Sequence, residues 1–258
     1  MSFSPEWLAL RAPFDSRARS MALARQFATA LPPSPLIVDL GSGTGANALA
    51  LAPLVGTQAR FRLVDNDRAL LEIARSRLPC EAVQADLNRD LATLFDGAHA
   101  VTASALMDLV SAPWFDALAG LAAARRLPLL FTLSVDGRHA LTPADADADD
   151  DRVFAAFAQD QKRDKGFGPA LGPEAPHHMH ERLAALGARV SLAASDWKIG
   201  SDGYQLMLAF VADVADAASR AAPAEAAAIA SWLERRQAQI DDGAVSLTVG
   251  HQDLLALW

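Results

Sequence analysis

The sequence predicts an α/β fold, a mostly parallel sheet with helices on both faces. Short apolar runs at Leu36–Leu40, Phe61–Val64, Glu81–Ala85, Ala98–Ala103 and Leu127–Val135 alternate with helical patterns, and parallel strands joined by helical crossovers are covered on both faces. The stretch LIVDLGSGTGANALAL, Leu36 to Leu51, sets three glycines between one such strand and the start of a helix, which brings backbone close to a ligand at the carboxyl ends of the strands. With 258 residues and 52 % hydrophobic composition, the chain can bury a sizeable core as one folded unit.

Taken in order, Leu8 to Leu31 is helix-compatible up to Pro32 and Pro33. The strand and helix rhythm then runs to Val135 and breaks at DGRHALTPADADADDDR, where alternating aspartates disfavour a strand or a buried helix. That stretch reads as a solvated acidic turn starting the helix Arg152–Ala158, since carboxylates favour helix N-termini. The glycine and terminal glutamate of a calcium loop are missing. QKRDKGFGPALGPEAP reads as a long loop. His177–Leu186 resumes as helix, Ala188–Ile199 as strand, Tyr204–Ala222 and Ala224–Gln239 as helices, and Val245–Leu257 as a last strand, with no internal repeat. The expectation is one domain over 1–258. It divides into an N-terminal helical lid segment at 1–33, a ligand-binding half at 34–135, and a substrate-side half at 136–258 that carries a helical insertion at about 201–240.

Charge and composition narrow the classes. A net charge of -8 and a pI near 5.2 provide no global field for nucleic acid. The N-terminus has no basic stretch followed by an apolar one, and no apolar run reaches the roughly 20 residues of a membrane span, so a soluble, cytoplasmic protein with no membrane partner is expected. Cys80 is the single cysteine, which excludes an internal disulfide and a cysteine-based zinc cluster.

The glycine spacing is then decisive. A dinucleotide fingerprint reads G-x-G-x-x-G, but here Gly41, Gly43 and Gly45 alternate, and no Lys-Ser/Thr pair follows as in a P-loop. The pattern DLGSGTG, from Asp39 through Gly41, Ser42 and Gly43 to Gly45, resembles the first motif of class I S-adenosylmethionine-dependent methyltransferases. Further positions are similar: FRLVDND ends in Asp65 and Asn66, EAVQADL in Asp86 and Leu87, and AVTASALMDLV holds Ser104 at the exit of the fourth strand. The resemblance covers about residues 30–135. It implies a Rossmann-like fold with a seven-stranded sheet, S-adenosyl-L-methionine as cofactor and S-adenosyl-L-homocysteine as product. It also implies that Asp65 accepts from ribose hydroxyls, Asp86 meets the adenine amine, Asn66 and Leu87 flank the ring, and small Ser104 leaves room for the methionine portion. Each residue has a plain alternative: glycines that only make a tight turn, Asp65 as a helix cap, Asp86 as a loop carboxylate.

A sulfonium methyl is already activated, so the chain need chiefly hold an acceptor in line and exclude water. The Asn/Asp-Pro-Pro-aromatic motif of amide- and base-modifying relatives is absent after the fourth strand, where Ser104-Ala105-Leu106-Met107-Asp108 stands. The layout resembles the small-molecule branch. Asp108 is the first candidate acid or base, ahead of Asp136 and His139 at the next strand end. Arg11, with Arg17 and Arg19, puts positive charge on the N-terminal segment beside Trp7, Leu8 and Leu10, as suits a lid over the cofactor carboxylate or an anionic acceptor, or else an ordinary packed amphipathic helix. Lys165 and Phe167, between glycines, suit a closing loop or an exposed linker. His177, His180 and Glu181 share a helical face but match no zinc-protease order, and no metal is expected. His251 and Tyr204 have no assignable partners. The insertion Ser201–Ile240 could shape a pocket or a homodimer interface. A catalytically idle cofactor-binding module and a nicotinamide oxidoreductase are the alternatives, because fold does not fix function.

Overall fold

The structure, a computed structural model, describes residues 4–89, 91–143 and 147–258. The N-terminal helical region is two helices, α1 (Pro5–Ala18) and α2 (Met21–Thr29), not the single run expected over Leu8–Leu31. The break falls at Ser20, whose hydroxyl accepts from Leu23 N and starts α2.

The central elements follow the predicted alternation: β1 (Leu36–Leu40), α3 (Ala46–Val55), β2 (Arg60–Asp65), α4 (Arg68–Arg77), β3 (Glu81–Gln84), α5 (Leu91–Leu94), β4 (Ala100–Ser104), α6 (Ala112–Arg125) and β5 (Leu129–Thr142). All five β1 residues are buried, as a central parallel strand covered on both faces requires. After β5 come α7 (Asp150–Gln161), α8 (Ala175–Ala185), β6 (Arg189–Ala194), β7 (Trp197–Ile199), α9 (Tyr204–Ala221), α10 (Ala226–Asp241) and β8 (Ser246–Leu257). The strand order is β3-β2-β1-β4-β5-β8-β6, parallel from β3 through β5, with β8 antiparallel to its neighbours and β7 pairing β8.

Eight strands are therefore present among the described residues, against the expected seven. The stretch predicted as one strand, Ala188–Ile199, is interrupted at Ser195 and Asp196, and the long β8 pairs β7 with its first half and β6 with its second. The length of β8 also explains the second difference. β5 does not end at Val135 but runs through DGRHALT, because β8 supplies a partner as far as Ser246 opposite Thr142. Register shifts between Phe131 and Ser134 and between Val135 and His139 absorb the awkward residues. The Asp136 carboxylate accepts from Arg138 N and from the Arg138 guanidinium. Asp136 and His139 consequently lie within a strand, not beyond its end.

The acidic stretch also departs from expectation. It does start a helix, α7, but its carboxylates are paired more than solvated. Arg235 donates to Asp147 and Asp149, and the fully buried Arg236, together with Trp232 Nε1, donates to Asp150. Residues 144–146 of that stretch lie outside the described residues, as do 1–3 of the N-terminal segment. The insertion buries its apolar side internally: Leu206, Phe210, Val214, Ile229 and Trp232 pack with Val153 of α7, Phe14 of α1 and Leu247 of β8. Two further clusters fill the two faces of the sheet.

Candidate functional site

A cavity of about 210 Å3 opens at the carboxyl ends of β1, β2 and β4. Its floor is the glycine turn. Gly41, Gly43 and Gly45 have φ of +60, +51 and +77°, a region that side-chain-bearing residues rarely enter. A Cβ on Gly45 would also meet Leu78 Cδ2 at 3.0 Å and Ala74 Cβ at 3.2 Å, so this glycine lets α3 start hard against α4. Ser42 N donates to Val64 O at 3.0 Å and Gly43 N to Asp65 Oδ2 at 2.8 Å, which ties the turn to the end of β2.

On the acidic side of the cavity, Asp65 is 9 % exposed, and its second oxygen accepts from Asp67 N at 2.9 Å. Asp86 accepts from the backbone and side-chain amides of Asn88. Asn66, Leu70, Ala85 and Leu87 complete this end. The Leu87 carbonyl is taken by Trp114 Nε1 at 2.9 Å, and Trp114 in turn meets Phe167 edge-on at 5.3 Å.

The opposite side is cationic and apolar. Leu8, Arg11, Asp15 and Arg19 come from α1 and its exit, Leu106 and Leu109 from the turn after β4, and Lys165 and Phe167 from the loop between α7 and α8. Arg11 forms an ion pair with Asp15 at 2.9 Å and lies 5.0 Å from the Trp197 ring. Lys165 reaches Asp160 at 3.5 Å, a carboxylate that Arg163 and Arg220 share. The loop is anchored at both ends of its arc: Asn88 Nδ2 donates to Gly166 O at 2.8 Å, Leu171 N to Val110 O and Gly172 N to Asp108 O. Neither an exposed linker nor a detached flap describes it.

Of the sequence-predicted residues, Gly41, Ser42, Gly43, Asp65, Asn66, Asp86, Leu87, Ser104, Arg11, Lys165 and Phe167 all line this one cavity. Asp39 and Gly45 lie beneath it. Asp39 has no exposure; its Oδ1 accepts from Asn47 Nδ2 at 2.7 Å, its Oδ2 has no partner, and burial pushes its pKa up to about 7. Asp108 lies outside the lining. Its Oδ1 is sealed without a partner, and burial pushes its pKa up to about 6 against the pull of Arg11 and Lys165.

His139 is likewise apart from the cavity. It stacks on Phe154 at 4.8 Å, and burial holds its pKa down at about 4. No residue of the 201–240 insertion lines the cavity, so it is not the pocket wall that was one of its two expected uses. The His177–Glu181 pair is exposed, His178 meets Asp116 at 3.0 Å, and no group of three metal-ligating side chains occurs among the described residues. His251 and Tyr204 have partners after all. The His251 ring bonds the Val249 carbonyl at 3.0 Å, and Tyr204 donates to Asp241 at 2.7 Å.

Sequence reasoning missed a polar network on the cavity floor. Arg19, one of the N-terminal arginines expected to suit a lid over a cofactor carboxylate or an anionic acceptor, donates from Nη1 to Asn47 Oδ1 at 2.6 Å and to Thr132 Oγ1 at 2.8 Å, and from Nη2 to Ser104 Oγ at 2.9 Å. Its support is the fully buried Asp253, which accepts from Ser20 N at 2.7 Å and from Leu133 N at 2.8 Å. A charged residue inside the apolar run of β8 was the available signal.

Strand order and cavity define a doubly wound α/β protein with a cavity at the carboxyl ends of its parallel strands, where such folds take their ligands. Residues 37–127 match the family model described as methyltransferase domain. That match spans the segment whose sequence resembles the class I S-adenosylmethionine-dependent methyltransferases. Among solved structures, a cyclopropane-fatty-acyl-phospholipid synthase-like protein from Lactobacillus casei is 13 % identical with a TM-score of 0.53, the match covering 95 % of this chain and 98 % of that one. The cyclopropane synthase MmaA2 from Mycobacterium tuberculosis is 11 % identical with a TM-score of 0.51, covering 98 % and 94 %. At such identities the likeness is one of fold. No curated protein matches by sequence. No helix among the described residues is long and apolar enough to cross a membrane.

Proposed function

We propose that the chain transfers the methyl group of S-adenosylmethionine to a small acceptor bearing an anionic group and an apolar body. The observation that carries this reading is the polarity of this cavity, with acids and backbone at the glycine turn and β2–β3 end, and cations and leucines at the α1 and loop end.

The fit to the cofactor is physical. Asp65 and Asp86 both line the cavity, and a carboxylate has more acceptor sites than the bonds described above use, which suits hydroxyl and amine donors. The left-handed glycines keep side chains out of the space above the turn. Bound there, S-adenosylmethionine supplies an activated methyl, and the chain's own task is placement. Leu8, Leu106, Leu109 and Phe167 exclude water from the acceptor end, while Arg11 and Lys165 offer charge to an anion. Asp108, between Leu106 and Leu109 on the turn after β4 and with its pKa raised to about 6, is the group able to hold an acceptor proton.

Calorimetry with S-adenosylhomocysteine, followed by transfer of labelled methyl from S-adenosylmethionine into fractionated small molecules of a cell extract, tests the reading. Binding and a labelled anionic product are expected. Binding without transfer into any fraction would favour the idle module. Binding of NAD but not of S-adenosylhomocysteine would overturn the assignment.

A further inference from the structure

At the apolar end of the cavity, Arg11 and Lys165 are answered differently. Arg11 closes its fork on Asp15, with Nε at 2.9 Å and Nη2 at 3.2 Å, and lies over the Trp197 ring. An anion would have to displace both bonds. Lys165 carries an ammonium with three donors. Two are directed at Asp160, to its carbonyl oxygen at 3.2 Å and to Oδ2 at 3.5 Å, and the third has no partner among the described residues. The Lys165 side chain is 9 % exposed, so the unspent donor sits on a charge withdrawn from water, where an anion is worth most.

The long Lys165 pair has its cause in Asp160. That carboxylate, at the end of α7 and buried, is shared by three cations. Arg163 Nε reaches Oδ1 at 2.6 Å, and Arg220 of α9 meets Oδ1 at 3.3 Å through Nε and Oδ2 at 3.4 Å through Nη2. Burial works against the Asp160 charge, yet bonds from Arg220 and Arg163, with the charge of Lys165 behind them, hold its pKa below the usual carboxylate range. Arg220 also pairs with the exposed Asp216 on its own helix. One buried carboxylate thus serves three cations, and the positive excess is left at Lys165, the partner it holds least closely. The loop around Lys165 is braced: Asp164 Oδ1 accepts from Gly166 N at 2.6 Å and from Gly168 N at 3.0 Å, and Trp114 backs Phe167. Ammonium and ring therefore flank Gly166 on a fixed turn.

We infer that Lys165 is the receptor for a single carboxylate on an acceptor whose apolar body lies against Phe167, Leu106 and Leu109, and that Arg220, outside the cavity, is a positioning residue that keeps Lys165 available by occupying Asp160. The inference rests on the acceptor reading above and adds to it which cation takes the anion and what holds that cation ready. It gives the 201–240 insertion a part in the site although none of its residues lines the cavity. One negative charge is preferred to two because Asp15 lines the same end and the Asp108 carboxyl lies within the field of both Arg11 and Lys165. An ammonium with one spare donor likewise suits one carboxylate oxygen more than the three oxygens of a phosphate.

Calorimetry on the full chain saturated with S-adenosylhomocysteine tests this with 3-phenylpropionate, 4-phenylbutyrate and hexanoate, each against its neutral amide. Wild type should bind at least one acid about tenfold or more tighter than its amide, as a bond to a charged group allows. Lys165→Met should lose that preference while binding the amide as wild type does. Arg220→Gln should lower the preference about threefold to fivefold, the worth of a half-exposed charge pair, because Asp160 then closes on Lys165; Arg220→Lys should restore it. Lys198→Met, which removes a charge from the exposed side of β7, should change nothing. A preference intact in Lys165→Met would overturn the inference and leave an anionic acceptor to Arg11. No preference for any acid in wild type would overturn the inference and the anionic acceptor together. Arg220→Gln with wild-type preference, or with acid and amide weakened alike, would overturn the positioning role of Arg220. Failure of wild type to bind S-adenosylhomocysteine would overturn the cofactor reading and the inference with it.

Discussion

Replacing Asp65 by alanine tests the hinge between fold and ligand. In the free protein its two oxygens accept from Gly43 N at 2.8 Å and Asp67 N at 2.9 Å, so the carboxylate holds the glycine turn and the N-terminal approach to α4 together. The side chain is thus not merely a crevice group whose loss leaves the fold untouched. Gly43 borders an open cavity, where water can replace the lost acceptor. The stability cost is accordingly about 1–3 kcal/mol, not the full penalty of two sealed donors. At about 2–4 °C per kcal/mol for a chain of this size, the melting temperature should fall by several degrees. S-adenosylhomocysteine should bind a further 1.5–3 kcal/mol more weakly, roughly 10-fold to 150-fold, because a charged acceptor for its hydroxyls is gone and the turn beneath it is loosened. Calorimetry well below the melting transition, paired with thermal melting, separates the two effects. A variant that melts early yet binds within about threefold of wild type would show that Asp65 serves the turn alone.

Four further outcomes follow from the same geometry. Asp108→Asn should remove the acidic limb of a pH–rate profile: with a pKa near 6, a base at Asp108 is lost as pH falls through that value, and an unchanged limb would acquit it. Lys165→Ala and Phe167→Ala should each cut methyl transfer at least about tenfold with cofactor affinity nearly constant; wild-type turnover in both would return the loop to a structural role. Asp150→Ala strands the fully buried Arg236 and should cost about 3–5 kcal/mol in denaturant unfolding, and a loss below about 1 kcal/mol would show that Gln239 and water suffice. Asp39, raised to about 7 in the folded chain and near 3.8 when unfolded, binds protons on folding, so its contribution to stability declines as pH rises from about 4 to 7. Melting of Asp39→Asn relative to wild type should therefore improve across that window, and a flat difference would mean that the buried carboxyl titrates normally.

What the sequence made legible follows from how local each signal is. Glycines at alternate positions after an apolar run need only a strand, a turn and a helix to have meaning, and Gly41, Gly43 and Gly45 take the left-handed conformations that reading requires. Strand ends marked by Asp65, Asp86 and Ser104 depend on the parallel rhythm alone, and they converge on one cavity. Long-range pairing was not legible. β5 continues through DGRHALT because β8 lies alongside it, more than a hundred residues later, and the aspartates of the acidic stretch are paired by arginines of α10. The partners of Arg19 were hidden for the same reason: Thr132 and Ser104 are distant in sequence, and the Asp253 that secures its neighbour belongs to the last strand.

The cavity's charges are separated, and that separation does more than their sum. The whole chain carries -8, a field that works against anionic ligands, yet Arg11, Arg19 and Lys165 stand at one side of the cavity and Asp65 and Asp86 at the other. Unit charges a few ångströms apart interact by several kcal/mol at the effective dielectric of a partly buried site, so reversing a ligand with a carboxylate at one end and hydroxyl donors at the other costs far more than thermal energy. The three cations are not equivalent. Arg11 is answered by Asp15 and Lys165 by a shared Asp160, whereas Arg19 is answered only by neutral oxygens. An anion arriving at Arg11 or Lys165 must compete with a carboxylate already in place, and one arriving at Arg19 need not.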